Sequence, residues 1–456
     1  MAVDRSRLPD VGADPVFHFP EIVRHELTNG LEVRTVEHRS VPVVTMVLQV
    51  EGGSGADPGD QEGLAAVTAD MIDEGTGTLS AIDVSDAIAR LGAEYDVDVG
   101  PDVTTFGLTT IERFADRGLA LLADLIVRPS LRDDDFQRVR QLRLDRLRQM
   151  KDVAPAVAER AFLRLVYGPH PYGHLAIGND AALRSLTVEH VERFHVGRFV
   201  PSQSTLVIAG DMTHERMRAL AEEVFGGWEN TALPVAWGRA SEIEAPDQHG
   251  ARLAIVPREG SAQSELRIGH LSVRRNTPDY APLLVMNSVL GGQFVSRVNL
   301  KLREEKGYTY GARTGFDWRR GRAPFALHAS VHTAATADAV KDAHAELDGL
   351  RGERPVTPKE LALAKASVTK GYPRNFETAG QVARAVAQLA LYGLPDTYFQ
   401  EFVPKVNAVT ADDVTRVAGT YLDPGRLTTL AVGDHSAIAD SLSRLIGDPV
   451  VLSPEV

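Results

Sequence analysis

Two stretches of this 456-residue chain repeat one another at a fixed distance. SLTVEHVERFHVGRFVPSQSTLVIAGDMTHERM begins at Ser185 and AVTADDVTRVAGTYLDPGRLTTLAVGDHSAI at Ala408, so that Thr187 and Thr410 lie 223 positions apart, as do Gly210 and Gly433. Each copy opens on a threonine placed to cap a helix, passes a proline turn at Pro201 or Pro424, and enters a β-rich run ending in Gly-Asp. A repeat this long is a whole folding module, too large for a solenoid unit. The starts of the two halves agree as well. LEVRTVEHRSVPVVTMVLQVEGG and ARLAIVPREGSAQSELRIGHLSVRR both alternate like hairpin pairs, and long helices are expected after them near 61–75 and 277–291.

The order within each half is strand, strand, helix, strand, strand, helices, strand. That order predicts an α+β fold of two homologous domains, each a largely antiparallel sheet covered by helices on one face. The expected division is 1–230, a proline-bearing linker at 231–249, and 250–456. The length suits two domains of about 200 residues each. No run of about 18 apolar residues predicts a membrane span, and the first residues lack the apolar core of a secretory signal, which favours the cytoplasm unless a signal has been removed. A net charge of −13 disfavours nucleic acid and anionic membrane as partners, and the absence of cysteine excludes disulfides and thiolate metal sites.

Residues 63–76 read GLAAVTADMIDEGT. This stretch, with its glycine, leucine and Gly-Thr frame, resembles the zinc helix of the pitrilysin/insulinase-like metallopeptidases, the mitochondrial processing peptidase type, whose pattern is G-x-x-H-x-x-E-H followed by G-T. Two histidines four apart share a helix face and can hold one Zn²⁺, while the glutamate between them polarises the metal-bound water. On that pattern the first histidine falls on Ala66, the glutamate on Ala69 and the second histidine on Asp70. The family's third ligand, a glutamate on a later helix, falls within FQRVRQLRLDRLRQMKD on Arg146 or its neighbour Asp145. Alanine offers no lone pair and a guanidinium repels a cation, so no metal is expected in this chain.

The resemblance runs through about residues 20–440. GAEYDVDVGPDVTTF, from Gly92, matches the family's substrate-binding edge strand, with Asp96 and Val97 in its Asn-Ala places. There the resemblance implies main-chain pairing with an extended peptide; the plain reading is a paired strand of the sheet. His170 and His174 in YGPHPYGH sit four apart, but Pro171 interrupts a helix between them, so they read as loop and packing residues. GGQFVSRVNLKLREEKGYTYGARTGF, from Gly291 to Phe316, matches the family phrase G-G-x-x-S-R-L-x-x-x-L-R-E-x-x-G-x-x-Y almost throughout. In it Gly291 and Gly292 make a helix-to-loop turn beside the substrate, and Arg303 and Tyr310 match the pair projected toward zinc-bound substrate. A phenol can donate to a developing oxyanion and a guanidinium can anchor main-chain oxygen. The plain alternative is that Arg303 pairs locally with Glu304 or Glu305 and Tyr310 packs in the sheet.

One half-site is thus emptied and the complementary one kept. The resemblance implies a heterodimer, a clam-shaped chamber in which a homologous HxxEH-bearing subunit supplies zinc and general base while this chain supplies Arg303 and Tyr310 toward unfolded peptide substrates. The rival expectation is a structural or peptide-binding scaffold without catalytic contribution. No GxSxG motif or cysteine suggests an autonomous nucleophile.

Overall fold

Runs of β-branched and apolar residues with period-two alternation give the strands, and turn residues divide them. The computed structural model describes residues 17–230, 238–247 and 251–453. In the first half the strands are β1 (Val23–Glu26), β2 (Glu32–Glu37), β3 (Val43–Val50), the short ladder of β4 (Gly75–Thr76) with β5 (Leu79–Ser80), β6 (Glu94–Val99), β7 (Thr104–Ile111) and β8 (Ser204–Gly210). In the second they are β9 (Leu253–Pro257), β10 (Gln263–Leu271), β11 (Thr309–Phe316), β12 (Pro324–His332), β13 (Thr428–Gly433) and β14 (Val450–Val451).

The two large sheets have the orders β1-β2-β8-β3-β7-β6 and β11-β12-β10-β13-β9-β14. Their five-strand cores are the same topology. In these cores the strand that comes last, β8 or β13, inserts between β2 and β3 or between β9 and β10, parallel to the first of each pair and antiparallel to the second. The repeated Thr-to-Gly-Asp segments therefore do identical work in both halves. Thr410 caps its helix through a reciprocal pair with Asp413, at 3.1 and 2.9 Å, and the Thr187 amide donates to His190 Nδ1 at 3.1 Å.

Alternation gives each sheet two apolar faces. On the first sheet Val44, Met46, Leu48 and Val50 pack with the half's own helices Leu64–Met71 and Ala115–Val127. On the opposite face Val36, Val47, Val207 and Ala209 join the core of the second half, where the helix Ala379–Tyr392 crosses β3 and β8. The second sheet mirrors this. Ala254, Val256, Leu430 and Val432 pack against Val157, Ala158, Ala161 and Phe162 of the helix Ala154–Tyr167, which crosses β10 and β13. Each half thus lends one helix to the other's sheet, so the one-face cover expected from the order of elements is completed across the halves.

Ion pairs follow the same seam. Arg320 Nη1 reaches Glu51 at 2.9 Å and its amide donates to Asp102 at 3.0 Å, Arg24 forks onto Asp396, and Arg384 Nη2 meets Asp96 at 2.7 Å. Of the expected linker, 231–237 and 248–249 lie outside the described residues. Residues 238–247 pack on the body, with Ala240 and Ala245 buried and Arg239 Nε 2.6 Å from Glu51. Among the described residues no helix is long and apolar enough to cross a membrane.

Candidate functional site

The helix Leu64–Met71 starts at Gly63, whose φ of +100° suits glycine. Its first amides are capped from a distance: Gly63 N and Ala65 N donate to the two oxygens of Asp57, each at 2.7 Å. His174 Nε2 lies 3.1 Å from the same carboxylate. Burial pushes the Asp57 carboxyl above its ordinary range, against the pull of His174 and the two amides. His170 stacks on Tyr167 and approaches Ile243 O at 3.2 Å. Both histidines sit in packed, hydrogen-bonded places.

Ala66 and Ala69 are buried, and Asp70 stays partly open. The guanidinium that meets them belongs to Arg143, on the long helix Asp133–Lys151. Its Nε donates to Asp70 Oδ2 at 2.7 Å and its Nη2 to Ala66 O at 2.9 Å, and the side chain is only 8% exposed. One buried cation thus bridges the two positions that match the family's histidines. Arg146, which the motif placed there, is exposed, and Asp145 is engaged by Gln141 at 3.0 Å and by Arg148. The reason is register: Phe136, Val139, Arg143 and Leu147 form the buried stripe, and position 146 falls beside it.

These residues do not fit a zinc ion. A guanidinium hydrogen-bonded to the remaining carboxylate excludes a second cation, and among the described residues no group of three or more histidine, aspartate and glutamate side chains is placed to hold one. Beyond the helix, Asp73 is pushed up to about 6, by burial first and then by Glu74 and Asp70. Tyr95 Oη is buried without a hydrogen-bond partner, and its ionisation is raised well above the ordinary value, chiefly by burial.

Asp96 and Val97 lie on β6, the outer strand of the first sheet, which pairs with β7 alone. Gly107 stands opposite Asp96, and a Cβ there would lie 2.6 Å from the Asp96 carboxylate. Asp96 is already bound by Arg384 of the crossing helix.

In the second half the helix Tyr280–Leu290 stops at Gly291. The amides of Gly291 and Gly292 both donate to Asn287 O, at 2.9 and 2.7 Å, and Thr314 N donates to Gly291 O at 3.2 Å. A Cβ on Gly291 would lie 2.5 Å from Thr314 N, so packing alone requires glycine there. The same phrase holds a residue the motif reading passed over. Arg297 forks onto Glu360 at 2.6 and 2.9 Å, and that pairing, with the Thr357 cap, holds the Glu360 carboxyl down at about 2. Its signal in the sequence was the Thr-Pro-Lys-Glu capping box at 357–360, 63 positions from Arg297.

Arg303 lies in the π-helical segment Leu300–Glu305, with Nη1 2.9 Å from Glu304 Oε1 and its guanidinium carbon 4.3 Å above the Phe294 ring. Tyr310 does not pack in the sheet. It is 89% exposed, where β11, the outer strand of the second sheet, loses register between Thr309 and Ala312. Gly291, Gly292, Phe294 and Gly311 line one cavity of about 570 Å³ beside this pair. No hydrogen bond or ion pair among the described residues joins Arg303 or Tyr310 to the Arg143–Asp70 cluster.

Two pseudo-symmetric sheets exchanging helices, with a short buried helix in the first half and, in the second, a half-buried arginine and an exposed tyrosine seven residues apart, define a peptidase-like two-module scaffold. Residues 33–177 match the family model described as insulinase (peptidase family M16), and residues 185–368 match the one described as peptidase M16 inactive domain. The chain belongs to this pitrilysin/insulinase-like peptidase family. It is 22% identical to an uncharacterised zinc protease of Mycobacterium leprae over 88% of this chain and 89% of that one. Two crystal structures share its fold, each with a TM-score of 0.84. A peptidase M16 inactive domain from Pseudomonas fluorescens is 23% identical over 90% of this chain and 98% of that chain; a protease from Helicobacter pylori is 21% identical over 91% and 100%.

Proposed function

We propose that this chain is the zinc-less closing half of a two-chain peptidase. Its two homologous domains, divided within 231–249, would enclose extended, unfolded peptides against a homologous HxxEH-bearing partner. That partner would hold the zinc, and this chain would lend Arg303 and Tyr310 to its site. The observation that carries the reading is the contrast between halves: Arg143 fills the emptied helix, whereas Tyr310 stands free on an outer strand with its phenol available as a donor. The edge of β6 offers main chain to an extended peptide, with Asp96 and Val97 beside it.

The test is reconstitution. The chain is mixed with a homologous HxxEH-bearing protein from the same organism, and cleavage of a quenched peptide is followed. Activity is expected only in the mixture, and a loss of about 10²–10³ is expected for Tyr310→Phe if its phenol serves the oxyanion. One observation favours the scaffold reading: Arg303 is held locally by Glu304 and Phe294. Mixtures in which Tyr310→Phe and Arg303→Ala keep full activity would establish that reading instead.

A further inference from the structure

The helix Ala154–Tyr167 packs over β10 and β13, and beyond it, on the same face, the cavity of about 570 Å³ opens over β12 and β11. Direct cross-strand pairing sets Arg267 opposite His328 and His328 opposite Arg313, so three side chains form one row across three strands. The row is satisfied at one end only. Arg267 is buried and held by Glu265 at 2.5 Å, Glu159 at 3.3 Å and Pro155 O at 3.2 Å. Arg313, at the outer end, is exposed, and its side chain has no hydrogen bond or ion pair among the described residues. Between them the Nδ1 of His328 is buried with no partner. Burial, then the two guanidinium groups, push the His328 imidazolium down to about 3, so the ring is neutral at pH 7.

We propose that this quarter of the second sheet is a carboxylate-binding site, in which Arg313 pairs with the carboxylate of an extended peptide and His328 supplies a neutral ring nitrogen beside it. Glu265 and Glu159 neutralise the Arg267 end and direct an incoming anion toward Arg313. The planar fork of a guanidinium suits a carboxylate, and the exposed Phe294 gives the cavity an apolar wall for the rest of the peptide. The carboxylate can come from a chain terminus or from an acidic side chain. The choice of a peptide as ligand rests on the function proposed above; the site itself rests on the row and its unpaired groups.

The test uses the full chain without a partner, carrying ¹⁵N-labelled histidine, titrated with three short N-acetylated peptides: a free acid, its uncharged amide, and an amide containing one glutamate. The free acid is expected to bind saturably, to shift the His328 resonances and to raise the pH at which that ring titrates. Arg313→Ala is expected to weaken binding by about tenfold or more, with Arg313→Lys retaining part of it. Equal binding of the glutamate-bearing amide would make a side chain sufficient, within the same site. Equal binding of the free acid and the uncharged amide, unchanged affinity in Arg313→Ala, or no binding by any of the three overturns the proposal. Failure of reconstituted cleavage leaves this binding intact, and loss of the acid preference leaves reconstituted cleavage intact, so the two ideas fail separately.

Discussion

At the scale of single residues the molecule turns on Arg143. Its guanidinium bonds both the side chain of Asp70 and the carbonyl of Ala66, so a cation is built in beside the positions that match the family's two histidines. Restoring the motif alone should therefore fail. The triple variant Ala66→His, Ala69→Glu, Asp70→His is expected to return no stoichiometric zinc by elemental analysis after dialysis against a mild chelator; about one zinc per chain would show that Arg143 does not keep the ion out. The absence of histidine at 66 and 70 and of glutamate at 69 was legible because a motif is local. The identity of the filling residue was not, because the motif named position 146 while the buried stripe of the helix ran through 139, 143 and 147. The same limit hid Arg297, whose carboxylate partner lies on a separate helix.

At the scale of elements, caps and strands followed local chemistry. The threonines at 187 and 410 begin helices, and the Gly-Asp pairs end strands. The crossing helices are another matter. Ala379, Val382, Ala383, Val386 and Ala387 form a buried stripe of small and branched residues, which lets the helix lie close on β3 and β8. Amphipathic spacing shows that such a stripe is buried, without showing which sheet buries it. Val386→Asp would set an unpaired carboxylate in that contact. We expect it to destabilise the protein by about 3 kcal/mol or more, measured by urea unfolding. A change under about 0.5 kcal/mol, the usual range for surface substitutions, would mean that the helix does not seal the first sheet.

At the scale of the whole molecule, the exchange of helices makes the halves depend on one another. Residues 17–230 expressed alone would expose Val36, Val47, Val207 and Ala209 to water. We expect that fragment to aggregate or to bind a hydrophobic dye, and to be rescued by co-expression with 238–456; a monodisperse fragment with cooperative unfolding would sink this. The sequence by itself determined the two-module plan, the repeated strand order and the absence of histidine and glutamate at 66, 69 and 70, because these are written in short-range periodicity and local spacing. Only the tertiary structure decided which helix covers which sheet, that Arg143 bridges Asp70 and Ala66, and that Arg267, His328 and Arg313 stand in one row. Those outcomes depend on contacts between residues far apart in the chain, and side-chain direction at such contacts follows from packing rather than from neighbours in sequence.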